Sequence, residues 1–192
     1  MRKVIMFNMI TLDGFFEGPN GEIDWHNVDD EFNEFSIQQT GSASGLIFGR
    51  KTYELMESYW PTSEAANDEP RVTEIMNRIP KFVFSRTLDR VDWNNSILVK
   101  GDAPAEVEKL KREPGGDLFI FGSADLSADL FQHGLIDEIR IIVNPVVLGA
   151  GRNLFEGLPG RLNLELIDSR TFPSGNVLLH YKPKNIPVNG EN

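Results

Sequence analysis

The feature that most limits the fold of this chain is a change of rhythm near Asp137. Before it, short apolar runs of strand type alternate with stripes at helical spacing; after it, strand follows strand. Segments 3–11, 45–49, 81–85, 97–99 and 117–122 are mostly Val, Ile, Leu and Phe bounded by turn residues, which predicts strands. Phe82-Val83-Phe84 and Phe119-Ile120-Phe121 are unbroken apolar runs, as in strands covered on both faces. Between them lie helical stripes at Val28, Phe32 and Phe35, at Tyr53, Met56 and Trp60, and at Val72, Ile75, Met76 and Ile79. Two more follow at Val107 and Leu110 and at Leu126, Leu130 and Phe131. Segments 138–148, 162–168 and 176–181 are the strands of the last third. Alternation implies parallel strands joined by crossover helices, and the strand-only end implies an antiparallel addition. The expected class is α/β, three-layer, with a central mixed and mostly parallel sheet of about eight strands flanked by helices.

The length of 192 residues suits one domain, expected over 1–182, with a polar frayed tail at 183–192. Residues 61–70 read as an exposed loop. A net charge of −10 repels phosphate backbones and anionic lipid, so neither nucleic acid nor membrane is an expected partner. With no cysteine there is no thiol nucleophile, disulfide framework or cysteine-ligated metal, and His26, His133 and His180 lack metal-like spacing. The basic and then apolar start at Arg2–Phe7 is broken at once by polar Asn8 and Thr11 and reads as a first strand, so the expected compartment is the cytoplasm.

Three turns share one pattern. Gly49-Arg50-Lys51-Thr52 follows a strand and opens a helix, where free amides and the helix dipole favour an anion; a plain tight turn is the alternative. Ser85-Arg86-Thr87 puts a hydroxyl and a guanidinium just beyond the next strand, suited to phosphate or simply to solvent. Phe121-Gly122-Ser123-Ala124-Asp125-Leu126 repeats the strand–glycine–helix order, with Ser123 as a candidate cap. In open α/β sheets ligands bind beyond the carboxyl ends of the strands, where all three turns lie.

Asp13, in Thr11-Leu12-Asp13-Gly14, is either a proton relay or a turn carboxylate satisfied by nearby amides, and Asp24-Trp25 is equally open. The acidic helix carrying Asp29, Asp30, Glu31 and Glu34 reads as a solvated face from which one carboxylate could enter a cleft. Gly149-Ala150-Gly151 resembles part of a dinucleotide fingerprint, but position 154 is Leu and strands follow, which rejects a Rossmann reading.

Taken in order, Thr11–Gly14, Gly49–Thr52, Phe84-Ser85-Arg86, Phe119–Leu126, Gly134–Glu138 and Pro145–Gly151 with Leu154-Phe155 resemble the dihydrofolate reductase family. The likeness is nearer still to the C-terminal reductase domain of the bifunctional riboflavin-biosynthesis deaminase–reductase. It implies a dihydrofolate-reductase-like fold with NADPH lying across the C-terminal edge of the parallel strands. By matching position, Arg50, Ser85 and Arg86 would hold the 2′-phosphate. Gly49, Lys51, Thr52, Gly122, Ser123, Ala124 and Asp125 would lie near the pyrophosphate, and Asn8 and Thr11 near the nicotinamide. The loop Asp13–Trp25 would cover the site, with Asp13 as catalytic candidate and Asp24 and Glu31 behind it. The implied activity is reduction of a small heterocycle or ribosylaminopyrimidine, as by a 5-amino-6-(5-phosphoribosylamino)uracil reductase. A non-catalytic NADPH-binding sensor or paralogue and a dihydrofolate reductase are the alternatives. A homodimer joined through Asp137–Phe155 is the implied assembly.

Overall fold

The computed structural model describes residues 1–184. In chain order the elements are β1 (Val4–Thr11), β2 (Phe15–Glu17), α1 (Asp30–Thr40), β3 (Gly45–Gly49), α2 (Arg50–Tyr59), α3 (Ser63–Asp68), α4 (Pro70–Arg78), β4 (Lys81–Phe84) and β5 (Ser96–Val99). Then come α5 (Ala103–Arg112), β6 (Leu118–Ile120), α6 (Ala124–Gln132), β7 (Glu138–Asn144), β8 (Arg152–Asn153), β9 (Leu164–Thr171) and β10 (Val177–Pro183).

Eight strands form one sheet in the order β5-β4-β3-β6-β1-β7-β10-β9. Pairings from β5 to β7 are parallel, and β10 runs antiparallel to both of its neighbours. Along β1 the side chains alternate between faces. Val4 and Met6 enter a core with Ile47 of β3, Val107 of α5, and Leu130 and Phe131 of α6. Ile5 and Phe7 enter the opposite core with Phe32 and Phe35 of α1, Tyr53 of α2 and Met76 of α4. Both faces of the sheet are therefore covered, which is why the central strands read as continuous apolar runs. Each fully buried Ile, Leu or Phe contributes about 1.5–3 kcal/mol, so no single contact decides this architecture.

Four departures from the sequence reading have local causes. The expected loop at 61–70 contains α3, which starts where Thr62 Oγ1 accepts the Ala65 N–H at 3.2 Å and which buries Ala65 completely. The strand expected over 138–148 stops at Asn144, because Pro145 has no N–H to continue the ladder. Pro183, expected in the tail, closes β10, and Lys184 N donates to Asn163 O at 2.8 Å; the remainder of the expected tail lies outside the described residues. Finally, β2 and β8 form a small antiparallel ribbon apart from the main sheet. Gly151, at φ +156°, permits it, since a Cβ there would stand 2.4 Å from the Glu17 carbonyl oxygen. Strand β7 lies inside the sheet between β1 and β10, and in the segment from Asp137 to Phe155 that the resemblance assigned to a dimer contact the turn beyond it carries an exposed apolar side chain, Val147 at 63%.

Candidate active site

Strands β3 and β6 are parallel neighbours, so the turns that leave them meet at one edge. They interlock. Gly49 N donates to Ser123 Oγ at 2.8 Å, Ser123 N donates to Thr52 Oγ1 at 3.0 Å, and Gly122 N donates to Asn8 Oδ1. Gly122 has φ +55°, and a Cβ on it would come within 2.7 Å of Thr52 Oγ1, so glycine is required there on both counts. Ser123 takes a left-handed backbone (φ 59°) and does not cap α6, contrary to the sequence expectation, because its hydroxyl is spent on the β3 turn. Helix α2 likewise starts at Gly49 without a side-chain cap. By contrast α1, α3 and α5 are capped by Asp29, Thr62 and Asp102. Two helices thus present uncapped first turns, and the partial positive charge that goes with them, to the same edge of the sheet.

Beside these turns opens a cleft of about 930 Å³. Its floor is Phe7, Asn8 and Met9 of β1 with Phe121 and Gly122; its walls come from α1, α2 and α4; part of its rim comes from residues 16–28. Asn8 is 7% exposed, and its Nδ2 is a buried donor with no partner. His26 Nε2 and Ser36 Oγ, also in the lining, are buried without partners too. The segment that carries His26 is anchored at Asn27, whose N–H donates to Asn144 Oδ1 at 2.9 Å and whose carbonyl accepts from Asn176 Nδ2 at 2.7 Å.

Burial pushes the His26 imidazole down to about 4. An unfolded histidine titrates near 6.5, so between about pH 6.5 and 4 the unfolded chain gains a proton that the fold resists. Stability is therefore expected to fall by about 2–3 kcal/mol as the pH drops through that window. Urea unfolding at pH 7 and pH 4.5 checks this: His26→Phe should lose the decline, and an unchanged decline would assign it to other groups.

Of the residues singled out from sequence, the structure brings Asn8, Lys51, Thr52 and Gly122 into the cleft lining. Gly49, Ser123 and Ala124 stand directly behind them in the interlocked turns. Asp125 is exposed and paired with Arg152 of the ribbon. Arg50 opens α2, where its guanidinium meets Glu54 at 3.1 Å. Ser85, 9% exposed, accepts the N–H groups of Thr87 and Leu88 at 3.2 and 3.0 Å, and Arg86 beside it is exposed.

The three catalytic candidates point elsewhere. The Thr11 hydroxyl, 2.6 Å from Asp13 Oδ1, together with the Gly149 and Leu148 amides, holds the Asp13 carboxyl below its ordinary range. Asp13 thereby ties the end of β1 to the turn after β7 and remains ionised, which does not suit a proton donor. Asp24 is exposed and outside the lining, and Glu31 pairs at 2.6 Å with Arg170 on the outer side of α1. What α1 does turn to the cleft is Phe32, Asn33 and Ser36. Glu69, at the α3–α4 junction, also lines it, and burial raises its carboxyl although the Asn33 side chain bonds to it. Neither Glu69 nor His26 stood out in the sequence, since both lie in connections with no motif around them.

The RibD C-terminal domain model matches residues 2–178. The chain is 38% identical over 182 residues to the Bacillus subtilis (strain 168) protein named "Uncharacterized protein YyaP", covering 94% of each chain. Among solved structures it resembles a "Putative riboflavin biosynthesis protein" of Shewanella sp. PV-4, with TM-score 0.74, 26% identity, and coverage of 95% of this chain and 99% of that one. It also shares the fold of Enterococcus faecalis dihydrofolate reductase, solved with NADP(H), with TM-score 0.64, 12% identity and coverage of 95% and 97%. The interlocked strand-end turns, the cleft beside them and a match over nearly the whole sequence agree: the chain belongs to the RibD C-terminal domain family, with the dihydrofolate-reductase-like fold.

Proposed function

We propose that this chain is an NADPH-dependent reductase that acts on a C=N or C=O bond of a small heterocycle. One observation carries the reading: the uncapped starts of α2 and α6 meet at the C-terminal edge of adjacent parallel strands, beside a cleft of about 930 Å³. A pyrophosphate fits the first-turn amides there, with Lys51 as counter-charge and the Thr52 hydroxyl as a donor. Arg50 and Arg86, on neighbouring turns, are the cations available to a 2′-phosphate. The unpartnered Asn8 Nδ2 suits a ring carbonyl or amide oxygen on the floor of the cleft. NADPH, when bound, supplies hydride from its nicotinamide ring. The protein's part is to place two rings face to face and keep water away from them, and the apolar side chains of Phe7, Met9, Phe16 and Phe121 serve that end.

Family membership supports a reductase-type role, and the NADP(H) bound by the Enterococcus dihydrofolate reductase supports the cofactor. The reading includes a cytoplasmic homodimer. Titration of the purified protein with NADPH and NADH, followed by cofactor fluorescence and heat, is the test. Tight, salt-sensitive binding of NADPH with weak binding of NADH is expected; binding of neither would remove the cofactor assignment.

A further inference from the structure

The half of the cleft away from the phosphate-facing turns has an unusual chemical inventory. Glu69 supplies a carboxylate there, with the Asn33 amide as its neighbour. His26 Nε2 and Ser36 Oγ are buried polar atoms with no partner in the fold. Trp60, Val72 and Met76 add apolar and aromatic surface, beside the hydroxyl-bearing Thr40, Ser58 and Tyr59. Among the described lining residues Lys51 is the one cation, and it stands beside Thr52 in the first turn of α2. The arginines that approach α1 from outside are engaged: Arg71 pairs with Glu34, and Arg170 pairs with Glu31 at 2.6 Å.

These facts select a ligand by charge and by hydrogen bonding. A phosphate group here would meet no guanidinium or ammonium and would lie near a carboxylate in a desolvated wall, where like charges repel strongly. An N–H donor facing that carboxylate satisfies an acceptor that burial has left short of water. An acidic wall without cations therefore rejects phosphorylated ligands as well as accepting donor-bearing ones, and specificity commonly needs both elements.

We propose that this half of the cleft takes a planar, phosphate-free heterocycle whose exocyclic amino groups face Glu69, and that Glu69 is its specificity-determining residue. The inference rests on the reductase reading only in treating this half as the substrate's.

The test uses the full chain, with and without saturating NADPH, and three probes: 2,6-diaminopurine riboside, its 5′-monophosphate, and xanthosine, which presents carbonyls where the first presents amino groups. Binding is read from heat and from intrinsic tryptophan fluorescence, to which Trp60 in the cleft lining contributes. The NADPH-loaded protein is expected to bind the diamino riboside at least tenfold more tightly than either its monophosphate or xanthosine. Glu69→Gln should abolish the preference over xanthosine while leaving NADPH affinity unchanged. Val72→Lys, which adds a cation to the same wall, should shift the preference toward the monophosphate. No saturable binding of the riboside, tighter binding of the monophosphate by the unaltered protein, or full discrimination retained in Glu69→Gln would each overturn the proposal. The cofactor titration separates the two readings: failure of NADPH to bind alongside Glu69-dependent binding of the riboside would remove the reductase and keep this site.

Discussion

Replacing Arg50 and Arg86 together with alanine is expected to erase most of the preference for NADPH over NADH. Each charge-assisted contact to a 2′-phosphate is worth about 1–2 kcal/mol, so two give about 2–4 kcal/mol, or roughly 30- to 1000-fold in relative affinity. Arg50 must leave Glu54 to take part, but that exposed pair one helical turn apart holds it by only a few tenths of a kcal/mol. The free Arg50–Glu54 pair therefore does little to oppose redeployment of the guanidinium. NADH affinity should hardly change in the double variant, which separates a lost phosphate contact from damage to the whole cleft. A double variant that keeps its NADPH preference would move the phosphate site away from these turns.

Glu138→Gln is expected to destabilise the fold by about 3–5 kcal/mol, the usual cost of removing one partner from a buried ion cluster. Glu138 opens β7 at 7% exposure. Its oxygens accept from Lys3 Nζ at 2.7 Å, Arg140 Nη2 at 2.6 Å and His180 Nε2 at 2.9 Å. Burial alone would raise this carboxyl, yet the bonds from Lys3, Arg140 and His180 outweigh it and hold it near 2, down to about 2 from an ordinary 4.5. A neutral amide leaves Arg140 and His180 facing an uncharged neighbour, with Arg140 Nε already lacking a partner. Because the folded carboxyl is depressed, its contribution is complete above about pH 4.5 and disappears as the pH falls through 2, a change of about 3 kcal/mol. Lys3 is more than half exposed, so solvent screens its share of this stabilisation. Urea unfolding from pH 7 down to pH 3 should show an acid limb below 4.5 that is distinctly steeper in the natural protein than in the variant. A loss under about 1 kcal/mol at pH 7 would mean that the cluster is solvated well enough to tolerate an uncompensated charge.

What could be read from the sequence follows from how each signal is stored. The main strands announce themselves because both faces of the sheet are covered and every residue of Phe119–Phe121 must be apolar. The ribbon of β2 and β8 is three and two residues long, too short for any periodicity, and rests on one glycine and a distant partner. The part of the cleft lined by Lys51, Thr52 and Gly122 was legible because Gly49–Thr52 and Gly122–Asp125 sit at strand–helix turns, where glycine and a helix start are visible in local order. The other half draws His26 from a loop, Asn33 and Ser36 from α1, Trp60 from the end of α2 and Glu69 from a helix junction. No window of sequence contains that set. The acidic residues of α1 were the visible candidates there, and they sit on its other sides, pairing with arginines far along the chain, while the uncharged Asn33 and Ser36 face the cleft.

The position of β1 at the centre of the sheet governs how this chain comes into being. It is made well before its two neighbours, β6 and β7, which begin at Leu118 and Glu138. On the ribosome, Val4–Thr11 emerges with both edges bare and stays so until β6 and β7 have been synthesised. Contacts of such long separation slow folding and prolong the exposure of an apolar segment. The nascent protein therefore has no native register for β1 until β6 has been translated, and no partner on its other edge until β7 has followed. Truncation before β7 would leave that strand paired on one side at most, a species prone to aggregate rather than a smaller working domain.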